Sequence, residues 1–145
     1  MAENITGRFP VRIGKYLLKI SVAWLTGMPL FCQVPQKIQQ QADFMEYDEN
    51  IAGGAYRLIN HVVFNHSGAV MYCDSAYFYP ADNSLDAFSN VHINQGDTVN
   101  LYGKFLHYDG NTRIAEIRNS VRLIGNNTTL TTSALDFDVG RSMGF

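Results

Sequence analysis

The chain predicts an all-β protein made of repeated β-hairpin units, each about 29–30 residues long. Three observations carry this. One nine-residue pattern of alternating apolar residues recurs three times. Turn-forming residues sit at matching offsets after each copy. Helix formers are sparse after residue 42, whereas Val, Ile, Thr, Tyr and Phe are plentiful.

The first element is an N-terminal targeting segment. Arg8, Arg12, Lys15 and Lys19 precede a short apolar run from Ile20 to Phe31, and a polar stretch with Gln33, Gln36, Gln39, Gln40 and Gln41 follows. A basic start, an apolar stretch and a polar exit form the secretory signal pattern. Spanning a bilayer takes roughly 20 apolar residues, more than this run supplies. Residues 1–32 are therefore expected to be a signal peptide, with an uncleaved anchor as the other reading, and residues 33–41 a polar linker. Phe31 stands where a lipoprotein signal needs a small residue before Cys32, which argues against lipidation. Loss of Cys32 on cleavage leaves Cys73 without an internal disulfide partner, as a small buried hydrophobe.

The repeats begin after the linker. Tyr56–Phe64, Leu85–Ile93 and Ala115–Leu123 align, with Val62, Val91 and Val121 spaced 29 and then 30 residues apart. Tyr47-Asp48, Tyr79 with Asp82, Tyr108-Asp109 and Phe137-Asp138 form a second recurring marker. Strand side chains alternate between faces, so parity sorts each segment. One face collects Tyr56, Leu58, Asn60, Val62 and Phe64; then Leu85, Ala87, Ser89, Val91 and Ile93; then Ala115, Ile117, Asn119, Val121 and Leu123. It is apolar except at one small or amide position per unit, which is the pattern of half-buried strands.

Turns complete each unit. His66-Ser67-Gly68, Gln95-Gly96-Asp97 and Gly125-Asn126-Asn127 follow the segments and lead into β-prone return runs at Ala69–Tyr79, Thr98–Tyr108 and Thr128–Phe137. Pro80–Asn83 and Asp109–Asn111 turn the chain into the next unit. A single hairpin cannot bury its apolar face, so the units must stack or wrap into an elongated sandwich, jelly roll or solenoid. The fourth marker near the end of the sequence predicts that further repeats follow Phe145.

Composition narrows function. With 17% charged residues and a formal net charge of −2, the chain lacks the basic face that nucleic acid requires. No metal site is expected. His61 and His66 are five apart, His92 and His107 lie in different strands, and no cysteines cluster with them, so all four histidines read as solvated or edge residues. Asp136 and Asp138 share a face, but Asp138 repeats the marker of Asp48 and Asp109 and reads as a turn residue rather than a glycosidase acid. Gly53-Gly54 has no phosphate-loop spacing, and no serine sits in a nucleophile elbow. No catalytic residue and no cofactor are expected. The apolar face is either an ordinary core or, in an open roll, a groove for acyl chains, whose burial supplies roughly 0.8 kcal/mol per methylene.

The repeat grammar resembles the OstA-like family of periplasmic lipopolysaccharide-transport proteins, of the Bacteroidetes type. The likeness rests on Ala42-Asp43-Phe44-Met45-Glu46-Tyr47-Asp48, Cys73–Tyr79, Leu85–Ile93, Gln95–Gly103, Leu106–Gly110 and Thr131–Asp138. Where that family favours Gly before Asn-Val, this chain has Asn60-His61-Val62, Ser89-Asn90-Val91 and Asn119-Ser120-Val121, a departure that bears on bulge geometry and leaves the repeat intact.

The resemblance implies a twisted β-jelly roll over residues 42–145 whose interior receives the acyl chains of lipid A, with no catalytic residues. Its lining positions transfer as a pattern onto Leu58, Val62, Phe64, Leu85, Ala87, Val91, Ile93, Ile117, Val121 and Leu123. It also implies a location in the periplasm in association with the outer membrane. The expected partners are lipopolysaccharide and other β-jelly-roll transport proteins, joined by pairing of open edge strands, with head-to-tail self-association by the same route. Two other classes fit the bare pattern: a structural β-repeat scaffold or surface protein with a closed core, and a carbohydrate-active β-solenoid enzyme.

Overall fold

A computed structural model describes residues 36–144 except Asp97. The expected signal peptide, residues 1–32, lies outside the described residues. The described residues form nine strands in chain order: β1 (Gln39–Gln41), β2 (Phe44–Asp48), β3 (Ala55–His66), β4 (Ala69–Tyr79), β5 (Ser84–Gln95), β6 (Val99–Asp109), β7 (Ile114–Ile124), β8 (Thr129–Asp138) and β9 (Met143–Gly144). They form one antiparallel sheet in the order β1-β3-β4-β5-β6-β7-β8-β9, with β2 also on β3, and the sheet does not close on itself. The all-β expectation and the hairpin repeat are both met.

Each hairpin follows from its turn residues. Ser67 and Gly68 both have positive φ, 51° and 81°, and join the paired residues His66 and Ala69. This is the two-residue turn whose twist suits adjoining strands, and glycine reaches it without steric cost.

The long strands are not flat. Asn60 and His61, Ser89 and Asn90, and Asn119 and Ser120 are all left-handed, with φ between 47° and 65°. Register shifts at the same places, between Ile59 and Val62, Phe88 and Val91, and Arg118 and Val121. Each left-handed pair inserts an extra residue, so it bends the strand as a β-bulge does. Three bulges at matching levels of three strands crease the whole sheet, and the two arms on either side of the crease fold over one another.

This corrects one reading from parity. Asn60, Ser89 and Asn119 do not belong to the inner face; they are exposed at the crease, where strict alternation is broken. The residues on either side resume the alternation, so Leu58 and Val62 both point inward. The bulge absorbs what parity would otherwise count.

Contacts between the arms show the fold-over directly. Phe64 pairs with Met71 above the crease and Phe78 pairs with Tyr56 below it, yet their rings lie 6.3 Å apart. The arms meet again along a seam opposite the crease. There the His66 ring meets the Tyr108 hydroxyl at 2.7 Å, and Gln95 Nε2 donates to the Val139 carbonyl at 2.5 Å. The product is a jelly roll with one continuous apolar interior.

Residues 36–41, read from sequence as part of a linker, belong to this roll. Gln39–Gln41 pair with Val63–Asn65 of β3, and Ile38 is buried in the core at 4% exposure. Glutamines are tolerated because β1 is an edge strand, where side chains reach solvent.

Candidate functional site

The interior is lined by residues that alternation directs inward from β3 to β8. Of the ten lining positions read from sequence, Leu58, Val62, Phe64, Leu85, Ala87, Val91, Ile93, Ile117 and Val121 are buried in one cluster. Leu123 packs against that cluster while remaining partly exposed. The return strands supply the rest: Met71, Cys73, Ala76 and Phe78 from β4, Leu101, Leu106 and Tyr108 from β6, and Leu135 and Phe137 from β8. In β4 and β6 the inward positions change parity at the crease, from Cys73 to Ala76 and from Leu101 to Leu106, so strict alternation would have split these runs.

These side chains pack against one another across the two arms. Gly103 shows how closely: a Cβ there would lie 2.4 Å from Ile117 Cγ2, so only a glycine leaves room for that isoleucine. The roll is therefore filled along its middle.

Its ends differ. Met45 and Tyr47 of β2 pair with Leu58 and Tyr56 and share their inward face, yet they are 43% and 54% exposed. At the other end Leu130 pairs with Leu123 on the inner face and is 42% exposed. Apolar inner-face positions thus reach solvent at both ends, while the outward edges of β2 and of the first half of β8 carry no neighbouring strand among the described residues.

The seam holds the polar groups of the interior. His66 is 3% exposed; its Nε2 donates to the Gln36 carbonyl at 2.8 Å, so its Nδ1 accepts the Tyr108 hydroxyl. Burial raises Tyr108 above the ordinary tyrosine pKa, which keeps the phenol a donor. His66 is thus a buried tie, contrary to its reading as a solvated or edge residue. Its partner lies 42 residues away, a pairing that local pattern does not carry.

The outer face is polar and aromatic. Tyr72, His92 and Tyr102 stack in sequence across β4, β5 and β6, and the Arg122 guanidinium lies 5.0 Å from the Tyr102 ring centre. On the other arm Asp86 accepts from Tyr79 at 3.2 Å and meets His107 at 2.6 Å, and Arg118 joins Glu116 to Asp136. Asp136 is engaged by this arginine and Asp138 by Arg141. At the crease, exposed His61 meets Asp43 at 2.6 Å, which raises the histidine pKa through hydrogen bonding and charge. Asn90 donates to Asp74 across the same line at 2.7 Å. No group of three or more metal-ligating side chains occurs among the described residues.

Cys73 faces the interior as a free thiol, and burial pushes its pKa up to about 12. It serves as a small apolar residue, as its place in the pattern suggested.

The fold is shared with a known transport component. The LptH protein of Pseudomonas aeruginosa superposes with a TM-score of 0.66 at 16% sequence identity, over 76% of this chain and 81% of that one. LptH is described as the LptA-homologous periplasmic component of the conserved lipopolysaccharide transport device. No curated protein matches the chain in sequence. The model of the family described as OstA-like protein matches residues 36–145, which takes in all nine strands. With that match covering the whole creased, apolar-lined repeat, this chain is a member of the OstA-like protein family.

Proposed function

We propose that the chain is a non-enzymatic module of lipopolysaccharide transport in the periplasm, which takes lipid acyl chains between its two arms. Family membership supports the transport role, and the shared fold with LptH agrees with it. The observation that carries the lipid-binding part is the continuous apolar interior whose inner face reaches solvent at Met45, Tyr47 and Leu130.

Because the middle of the roll is filled, acyl chains enter by parting the arms, and each methylene they bury replaces a contact between arms. Apolar contact is non-directional, so this exchange is close to balanced and suits a carrier that must release its load. The edges of β2 and β8 are the surfaces by which the module joins other β-jelly-roll proteins or a second copy of itself, since unpaired strand edges recruit further strands. Such assembly directs the lipid towards the outer membrane.

The tight packing favours one other reading, a structural repeat with a permanently dry core. Titration with purified lipopolysaccharide and with its deacylated saccharide separates the two. The carrier reading expects saturable binding of the first and none of the second. Binding of neither by folded protein supports the scaffold instead.

A further inference from the structure

The three residues ahead of β1 lie across the seam and are tied to both arms. Ile38 places its side chain in the same buried cluster as the lining residues, and its backbone N–H donates to Asn83 Oδ1 at 3.1 Å. The Gln36 carbonyl accepts from His66 of the upper arm at 2.8 Å and from Asn83 Nδ2 at 3.4 Å. Asn83 sits in the turn between β4 and β5, is 3% exposed, and is left-handed with φ 54°. Gly110 of the next turn backs the same place, where a Cβ would lie 3.0 Å from Ile38 Cδ1 and 2.6 Å from Asn83 Nδ2. One amide side chain therefore clamps the segment, one buried histidine holds it from the other side, and one isoleucine fills the apolar space below.

We infer that Gln36–Ile38 is a displaceable strap, and that Ile38 occupies an acyl subsite of the interior which lipid fills when the strap is released. This rests on the carrier reading and adds a gate to it. Ile38 is the one apolar side chain of the strap, inserted into the cluster where an acyl methyl end would lie. Everything else that holds the strap is a hydrogen bond to a backbone group, which water replaces on opening at modest net cost. The strap is short and lies at the edge of the sheet, so its release leaves the strands paired.

Asn83→Gly tests this cleanly. Glycine keeps the left-handed backbone while removing the amide that holds Ile38 and Gln36. Uptake of pyrene-labelled palmitate is followed by stopped-flow fluorescence in the full chain, with thermal melts to verify folding and hydrogen exchange at the Ile38 amide to report the strap. Uptake about tenfold faster, the scale expected for losing such ties, with faster Ile38 exchange, supports the strap. Ile38→Ser, which empties the subsite and leaves the Asn83 amide in place, provides a second variant and should also speed uptake. Equal uptake rates in wild type and both variants overturn the strap and leave the carrier reading standing. Uptake by none of the three proteins overturns the carrier reading itself, and the gate with it.

Discussion

Phe64 and Phe78 stand on opposite arms of one sheet with ring centres 6.3 Å apart. Neither is the strand partner of the other, and the contact exists because the crease at Asn60-His61 folds β3 and β4 over themselves. Phe64→Ala is expected to cost about 3–5 kcal/mol in urea unfolding. In a double-mutant cycle with Phe78→Ala, the two effects should be non-additive by about 0.5–3 kcal/mol. Simple additivity would mean that the arms do not lean on each other there.

The crease itself is open to test at Ser89, whose φ of 61° disfavours any residue with a Cβ. Ser89→Gly should raise stability by roughly 1 kcal/mol, and Ser89→Val should lower it by about 1–2 kcal/mol, as read from thermal or urea midpoints. Equal stability of the two variants would remove left-handed strain from the account.

How much of this was legible in the sequence depends on range. The valines at 62, 91 and 121 and the turns after them gave the strands, because period-2 alternation and turn chemistry are local. Asn60, Ser89 and Asn119 were misassigned because parity assumes an unbroken strand, and polar residues carry no mark that separates a bulge from an inner-face gap. Ile38, His66 and Asn83 escaped because their roles rest on contacts 30–47 residues distant, and three glutamines beside Ile38 resemble a linker. The lining positions were legible as an apolar face; their mutual packing across the seam was not.

His61 and Asp43 set a pH dependence at the crease. The carboxylate raises the His61 pKa above 6.5 by hydrogen bonding and by charge, so the folded state binds the proton more tightly than the unfolded chain. The stability contributed by this pair is fully present below about pH 6.5 and is lost as pH rises through the folded value. Full exposure of the histidine keeps the contribution small. An NMR titration should show the His61 pKa falling in Asp43→Asn; no change would sever the link between the pair and the titration.

Cys73 offers a probe of arm opening. With its thiol pushed up to about 12 by burial, it should react with a disulfide reagent at pH 8 far more slowly than in urea, where the thiolate fraction and access both rise. If lipid entry parts the arms, the native rate should change when lipopolysaccharide is present. Rapid labelling of the folded, lipid-free protein would show an interior looser than the packed roll described.

The central claim, that acyl chains lie on the inner face, is tested most directly by a photo-crosslinking side chain at Leu123, with a control at Arg122. The two are adjacent on β7, Leu123 partly buried against the interior and Arg122 exposed on the outer face over Tyr102. Leu123 lies near the end where Leu130 reaches solvent, so a bulky probe fits there without unpacking the middle of the roll. Lipopolysaccharide adducts at 123 and none at 122 are the predicted result. Adducts at neither position, or equally at both, in folded protein would contradict an interior lipid path.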